Sequence, residues 1–179
     1  MALGGGSFTT QNKELPGAYI NFVSAASATA TLSDRGIATM PLELDWGKEN
    51  EVFEVTNEDF QKNSMKIFGY AFDSPKMKGL SDLFIGAKTL YAYRLNGGGE
   101  KAANTFATAL YSGTRGNDLK IVIQANADDT KKFDVITYLG TVKVDAQTVA
   151  KAADLVANDY VVFKTDATLA VTASTPLSG

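Results

Sequence analysis

The sequence predicts an α+β fold that consists of an N-terminal arm and strand, a small α+β region, and then a β-rich, β-sandwich-like domain. Polar and glycine residues dominate the first 17 positions, and helical spacing of apolar residues occurs twice between residues 56 and 86. After Gly97-Gly98-Gly99 the pattern is mostly that of strands. We therefore expect a flexible arm over residues 1–17, an α+β region over residues 18–95 and a β-rich domain over residues 96–179.

The N-terminal arm leads into a strand-like segment that has no earlier strand to pair with. Residues 1–14 contain too few apolar side chains to order themselves by burial. The segment Ala18-Tyr19-Ile20-Asn21-Phe22-Val23 follows, and strand alternation puts Ala18, Ile20 and Phe22 on one face. Because such a strand has unmet backbone donors and acceptors, it can complete the sheet of another chain. This pattern indicates assembly rather than catalysis.

The first strands and the first helix of the α+β region have clear local signals. Residues 37–44 have an extended pattern, but Pro41 restricts them to an edge strand or a bulge. Residues 52–55 form a short strand pattern. Thr56 can cap a helix while Asp59, three residues on, reaches back toward it.

A second helix and an aromatic strand complete the α+β region. Ser74-Pro75 combines a capping residue with proline in the first helical turn, and Gly86 ends the predicted helix. Met77, Leu80 and Phe84 line one face of that helix. Residues 89–95 then alternate as a strand that is rich in tyrosine.

The β-rich domain is predicted from short alternating segments separated by turns. The expected strands cover residues 105–111, 119–125, 133–138, 141–144, 160–163 and 169–171. Residues 148–155 are expected to form a short helix. The last five residues, from Thr175 to Gly179, are expected to be a flexible tail without a closing element.

Composition excludes several classes of function. The 179 residues include no cysteine and no histidine, which excludes Ser-His-Asp and Cys-His catalysis and Cys-based zinc sites. The net charge of -3 gives no electrostatic basis for nucleic-acid binding, and no run of about 18 apolar residues could span a membrane. We expect a protein that is not an enzyme, with no cofactor, no metal and no membrane insertion.

Four local motifs have functional interpretations that are weaker than the structural ones. Gly97-Gly98-Gly99-Glu100-Lys101 lacks the spacing of a phosphate-binding loop and reads as a turn between domains. Gly113-Thr114-Arg115-Gly116 lies between strands rather than between helices, so a turn is favoured over a nucleic-acid clamp. Asp128-Asp129 lies in a polar turn with no second carboxylate group nearby, and the strand tyrosines are typical of packing.

Trp46 has two interpretations that the sequence does not separate. It stands in Leu44-Asp45-Trp46-Gly47, after the first strand of the α+β region. A tryptophan there could anchor an interface with another chain. It could equally cap the core of the first domain.

Several segments together resemble contractile phage tail sheath proteins, in particular those of Gram-positive prophages and phage-tail-like bacteriocins. The resemblance begins at Leu15-Pro16-Gly17-Ala18-Tyr19-Ile20 and continues through Asp34-Arg35-Gly36 to the segment 41–47. It includes the segments 93–99 and 111–119. The resemblance covers nearly the whole chain from Lys13, and it rests on the order and spacing of these segments. Sheath proteins of this family are much longer, so the resemblance implies that the chain is an N-terminal fragment.

The resemblance implies a structural subunit of a contractile injection system. Such subunits polymerise as rings around a tail tube and contract to drive the tube through a target envelope. Neighbours are linked by terminal arms that add strands to each other's sheets, and Ala18 to Val23 aligns with such an arm. Gly17 is then a candidate hinge, and residues 18–95 are part of a split domain near the tube. The expected partners are other sheath subunits and the tube protein, in a virion tail or phage-tail-like particle assembled in the bacterial cytoplasm.

A rival hypothesis is a β-rich surface-binding module that recognises carbohydrate or mediates adhesion. The β-rich second half and the many tyrosines suit it. A monomer with retained glycan affinity would favour this hypothesis, whereas rods or rings would favour the sheath.

Overall fold

Among the residues that the structure describes, the first sheet has three strands, and the most buried strand lies at its centre. The computed structural model describes residues 36–179. Its first strands are β1 (Ile37–Leu42), β2 (Val52–Thr56) and β3 (Thr89–Arg94). Their order is β1-β3-β2, with β1 parallel and β2 antiparallel to β3. The prediction that Pro41 belongs to an edge strand is confirmed for the described residues, since β1 lies at the edge of the sheet that they form.

Two helices cover the inner face of this sheet. Helix α1 (Asn57–Phe68) begins at Thr56, whose side chain accepts a hydrogen bond from the Asp59 amide at 3.0 Å. It ends at Gly69, whose positive φ of 79° suits glycine. Helix α2 (Lys78–Gly86) follows a short 3₁₀ turn, Pro75–Met77, that Ser74 caps. The predicted start of α1 is confirmed. The helical segment predicted to start at Ser74-Pro75 begins there as the 3₁₀ turn, and α2 itself starts at Lys78.

The β-rich part of the chain contains six strands in two sheets. The strands are β4 (Ala107–Ala109), β5 (Leu119–Ala125), β6 (Phe133–Leu139), β7 (Val142–Val149), β8 (Val161–Phe163) and β9 (Thr172–Pro176). Four of them form an antiparallel sheet in the order β7-β6-β5-β9, and β4 pairs with β8. The side chains of Leu119, Ile121 and Ile123 are fully buried where these sheets face each other.

Three predictions for the β-rich part are wrong. Residues 148–155 do not form an α-helix, because Thr148 and Val149 complete β7 against β6, and only Ala152–Asp154 make a 3₁₀ turn. The strand expected at residues 169–171 lies a few residues later, as β9. The terminal residues are not a loose tail, since β9 pairs with β5 and Leu177 is buried.

Two hydrophobic cores follow from this arrangement. One lies between the three-stranded sheet and the two helices, and Phe53, Val55, Phe60, Phe68 and Leu90 belong to it. The other lies inside the β-rich part and includes Trp46. The α+β, β-rich fold class is confirmed. The domain boundary between residues 95 and 96 stays a prediction.

Candidate functional site: a buried junction and two open sheet edges

Only some of the predicted site residues belong to the part of the chain that the structure describes. Gly17 and the candidate inter-subunit strand, Ala18 to Val23, lie outside the described residues. Trp46 lies within them. The described residues add two features that bear on assembly, which are the junction between the two cores and the edges of the first sheet.

Trp46 joins the two parts of the chain. Its side chain is 1% exposed and belongs to the core of the β-rich part. The indole Nε1 donates a hydrogen bond to the Lys66 carbonyl of α1 at 3.2 Å. The ring meets Tyr111 edge-on at 5.2 Å and stacks with Tyr160 at 6.3 Å. Trp46 thus packs between the two parts of its own chain, and a role in contacts with another chain stays a prediction.

A buried arginine lies beside Trp46 at the same junction. Arg94 ends β3 and is 2% exposed. One of its terminal nitrogens donates to the carbonyls of Gly47 and Ser112, each at 3.0 Å, and lies 3.4 Å from a Glu49 carboxylate oxygen. Because Ser112 belongs to the β-rich part, Arg94 ties the two parts together through charged hydrogen bonds. Asn96 extends this cluster by bonding both backbone groups of Leu44.

Glu49 completes the junction. Its carboxylate accepts hydrogen bonds from the Gly98 amide at 2.8 Å and the Ser112 amide at 2.9 Å. Burial raises the pKa of Glu49, but hydrogen bonds from Ser112 and Gly98 and the charge of Arg94 outweigh it and lower the pKa from 4.5 to about 2. The Ser112 hydroxyl makes no hydrogen bond of ordinary geometry within the described residues, so we assign the lowering to the two amides and Arg94.

A second arginine, Arg115, also connects the two parts. Arg115 Nε donates to the Gly69 carbonyl at 2.8 Å, and its guanidinium lies 4.5 Å from the centre of the Tyr70 ring. The Tyr70 hydroxyl donates to Asp45 at 2.8 Å. Burial, followed by this bond and the Asp45 charge, raises the pKa of Tyr70 to about 12. Tyr70 therefore stays neutral and keeps donating at ordinary pH.

The sequence interpretation missed Arg94, Glu49 and Arg115 as junction residues. A signal for Arg94 was present, because strand alternation puts it on the same face as Leu90 and Ala92. A charged residue at an inward position requires a partner. No comparable signal marks Glu49 or Arg115, because the groups that join each of them to the other part of the chain lie more than 40 positions away in the sequence.

The first sheet presents two edges and an apolar outer face. Both β1 and β2 are edge strands among the described residues. On the outer face Ile37 is 61% and Val52 64% exposed, and Tyr91 and Tyr93 of β3 lie between them. Edge strands of this kind can accept a further strand.

The part of the chain that the structure describes has neither a membrane-spanning helix nor a cluster of metal-binding side chains. None of its helices combines the length and apolar character that crossing a lipid bilayer requires. It also contains no group of three or more acidic side chains that could hold a metal ion.

Comparison with known protein families gives two matches that together follow the whole described chain. Residues 86–179 match the phage tail sheath protein beta-sandwich domain. Residues 35–95 match the tail sheath protein Gp18 domain III N-terminal region. The first match alone covers more than half of the 179 residues.

Individual proteins are similar over nearly the whole chain. The phage-like element PBSX protein XkdK of Bacillus subtilis is 38% identical over 99% of this chain, and the uncharacterised protein YqbK of the same organism is 37% identical. This chain spans 38% of the length of each.

Two solved structures are also similar. The sheath tail protein of Desulfitobacterium hafniense has a TM-score of 0.72 and 38% identity, covering 90% of this chain and 38% of that one. The sheath tail protein of Listeria innocua has a TM-score of 0.72 and 36% identity, covering 81% of this chain and 34% of that one. The β-sandwich match, the identities and the shared fold agree: the chain belongs to the phage tail sheath protein family.

Proposed function

We propose that this chain is part of a structural subunit that polymerises around a tail tube and contracts to drive the tube through a target cell envelope. The observation that carries the proposal is the pair of adjacent sheath-domain matches, which follow the chain in order from residue 35 to residue 179. A structural role also agrees with the absence of cysteine and histidine from the sequence. The subunit is proposed not to be an enzyme.

The buried junction supports a mechanical role. A subunit that moves as part of an assembly transmits displacement only if its parts do not slide on each other. Trp46, Arg94 and Glu49 join the two parts by an aromatic cluster and by hydrogen bonds of charged groups. Such contacts are stronger than neutral ones and fix geometry.

Neighbouring subunits are proposed to be linked by a strand-donating arm. Ala18 to Val23 is the donated strand, and Gly17 and the small residues 24–30 are the hinges. Backbone hydrogen bonds along a strand persist through a large rigid-body movement when the linker flexes. The proposed partners are other copies and a tube protein, in a virion tail or phage-tail-like particle assembled in the cytoplasm, without nucleic acid or membrane insertion.

Electron microscopy of the protein expressed at the full length of its relatives tests this function. We expect rods or rings from the parent protein and none after deletion of residues 1–24, with the far-ultraviolet spectrum and the melting of the remainder preserved. Because the two described cores consist of residues 36–179, a preserved melting curve would assign the loss of rods to the missing link and not to unfolding of these cores. Normal tubes from the shortened protein would contradict the arm, and a parent protein that stays monomeric would contradict the sheath role.

A further inference from the structure

The segment that follows β3 contains the single asparagine-glycine pair of the sequence, Asn96-Gly97. Asparagine is one of the chemically labile residue types, because the nitrogen of the next residue can attack its side-chain amide and close a five-membered ring. Glycine in the next position favours this attack, since it has no Cβ to shield the nitrogen and its backbone rotates freely. Both residues are exposed, so water reaches the pair.

The reaction consumes water and releases ammonia. The Gly97 nitrogen gives up its proton and bonds to the Asn96 Cγ, while the bond from Cγ to Nδ2 breaks and ammonia leaves with that proton. Water then opens the ring. Attack of water at Cγ gives aspartate, whereas attack at the backbone carbonyl carbon gives isoaspartate, in which the main chain runs through the former side chain and is one carbon longer.

In the docked chain the reacting side-chain amide is held by the segment that follows β1. The Asn96 Oδ1 accepts a hydrogen bond from the Leu44 amide at 2.9 Å, and Nδ2 donates to the Leu44 carbonyl at 3.0 Å. Arg94 Nε also donates to Oδ1, at 3.3 Å. Ring closure turns the amide toward its own backbone and expels Nδ2, so it requires the loss of these bonds.

The backbone that takes part in the reaction is held as well. The Gly98 amide donates to a Glu49 carboxylate oxygen at 2.8 Å, and Gly97 packs so closely that an added methyl group would lie 3.3 Å from the Glu49 Cβ. Glu49 is fixed in turn by the Ser112 amide of the β-rich part, at 2.9 Å. The rotation that brings the Gly97 nitrogen to Cγ therefore requires the junction to open.

We propose that Asn96-Gly97 is a self-modification site, which the docked junction protects and which opening of the junction exposes to deamidation. The attacking nitrogen and the attacked carbon both belong to this chain, and water is the co-reactant. The protection comes from contacts within residues 44–112 and does not depend on assembly with other copies.

The product cannot restore the original contacts. A carboxylate at residue 96 has no N–H to donate, so the Leu44 carbonyl loses its partner. In the isoaspartate form the chain between Leu95 and Gly98 is also longer, and the bonds at Leu44 and at Glu49 no longer fit the same spacing. Deamidation of an opened chain therefore hinders the two parts from docking again.

The rate of conversion at residue 96 tests the proposal. The purified protein is incubated in a mildly alkaline buffer, in which the Gly97 nitrogen is more easily deprotonated, either folded or unfolded in guanidinium chloride. Peptide mapping by mass spectrometry then separates the asparagine, aspartate and isoaspartate forms. Arg94→Met removes one bond to Asn96 and loosens the junction, and the matched control Lys48→Met removes a half-exposed cation that is paired with Glu51.

We expect conversion to be at least about tenfold slower in the folded parent than in the unfolded parent, because two or more hydrogen bonds must break before the ring closes. Folded Arg94→Met should react at least about threefold faster than the folded parent, and Lys48→Met at the parent rate. Equal rates in the folded and unfolded parent would overturn the protection. A folded Arg94→Met that reacts no faster than the parent would overturn its link to the junction, and Glu49→Gln provides the same comparison if Arg94→Met does not fold.

The effect of the product on docking is measured on the modified protein itself. Its additional negative charge allows separation from the parent by ion exchange. We expect a lower urea midpoint than that of the parent, followed by the fluorescence of Trp46 at the junction. An unchanged midpoint would overturn the proposed effect of deamidation on docking.

Discussion

Replacing Arg94 by methionine tests whether the two parts of the chain are held together by the buried junction. Methionine keeps most of the length of the side chain but removes its charge and donors. The change leaves the carbonyls of Gly47 and Ser112 buried without their 3.0 Å donor, and Glu49 loses its cationic neighbour. Breaking a buried ion pair by removal of one partner typically costs about 3–5 kcal/mol. We expect a loss near the low end of this range, about 3 kcal/mol, because Glu49 keeps its two amide donors after the substitution.

The measurement is equilibrium unfolding in urea, followed by the fluorescence of Trp46, which is the single tryptophan of the chain and lies at the junction. Hydrogen exchange should also speed up at the amides of Gly98 and Ser112. The matched control is Lys48→Met, which removes a half-exposed cation paired with Glu51 and should cost at most about 0.5 kcal/mol. A loss below about 1 kcal/mol for Arg94→Met would refute a stabilising role for the junction.

Two further predictions concern groups near the junction and in α1. The pKa of Glu49 is lowered to about 2, so the stability that it contributes is complete above pH 4.5 and disappears as the pH falls toward 2. Glu49→Gln should therefore flatten the dependence of the unfolding free energy on pH in that window, and parallel curves for parent and variant would contradict the assignment. Ser64 of α1 is buried, and its hydroxyl has no hydrogen-bond partner among the described residues. Ser64→Ala should stabilise the protein by about 1 kcal/mol and raise the melting temperature by a few degrees, while an unchanged or lower value would contradict it.

Local chemistry at chain turns was sufficient to predict the helix starts. Thr56 with Asp59, and Ser74 with Pro75, are capping signals whose physics depends only on residues three or four positions apart. The edge position of β1 followed similarly from Pro41, which lacks a donor whatever the rest of the fold is. These predictions succeeded because each feature depends only on residues close to it in the sequence.

The wrong predictions concern segments whose structure depends on pairing with residues that are far away in the sequence. Residues 172–176 are small and polar and have no alternating apolar pattern, yet they form β9 because β5 offers them its free edge. Residues 148–149 precede a helix-favouring run with several alanines, but pairing with Asp134 and Phe133 extends β7 through them. The junction escaped prediction for the same reason, since Glu49 and Ser112 are 63 positions apart.

The glycine run at residues 97–99 is a segment whose conformation depends on the junction between the two parts of the chain. Its composition predicts a flexible turn, but the Gly98 amide donates to Glu49. Just before the run, Arg94 donates to the Ser112 carbonyl and Asn96 donates to the Leu44 carbonyl. The same contacts hold Tyr111, next to Ser112, edge-on against Trp46. The residues that join the two parts of the chain therefore also fix the glycine run, which its composition alone predicts to be flexible.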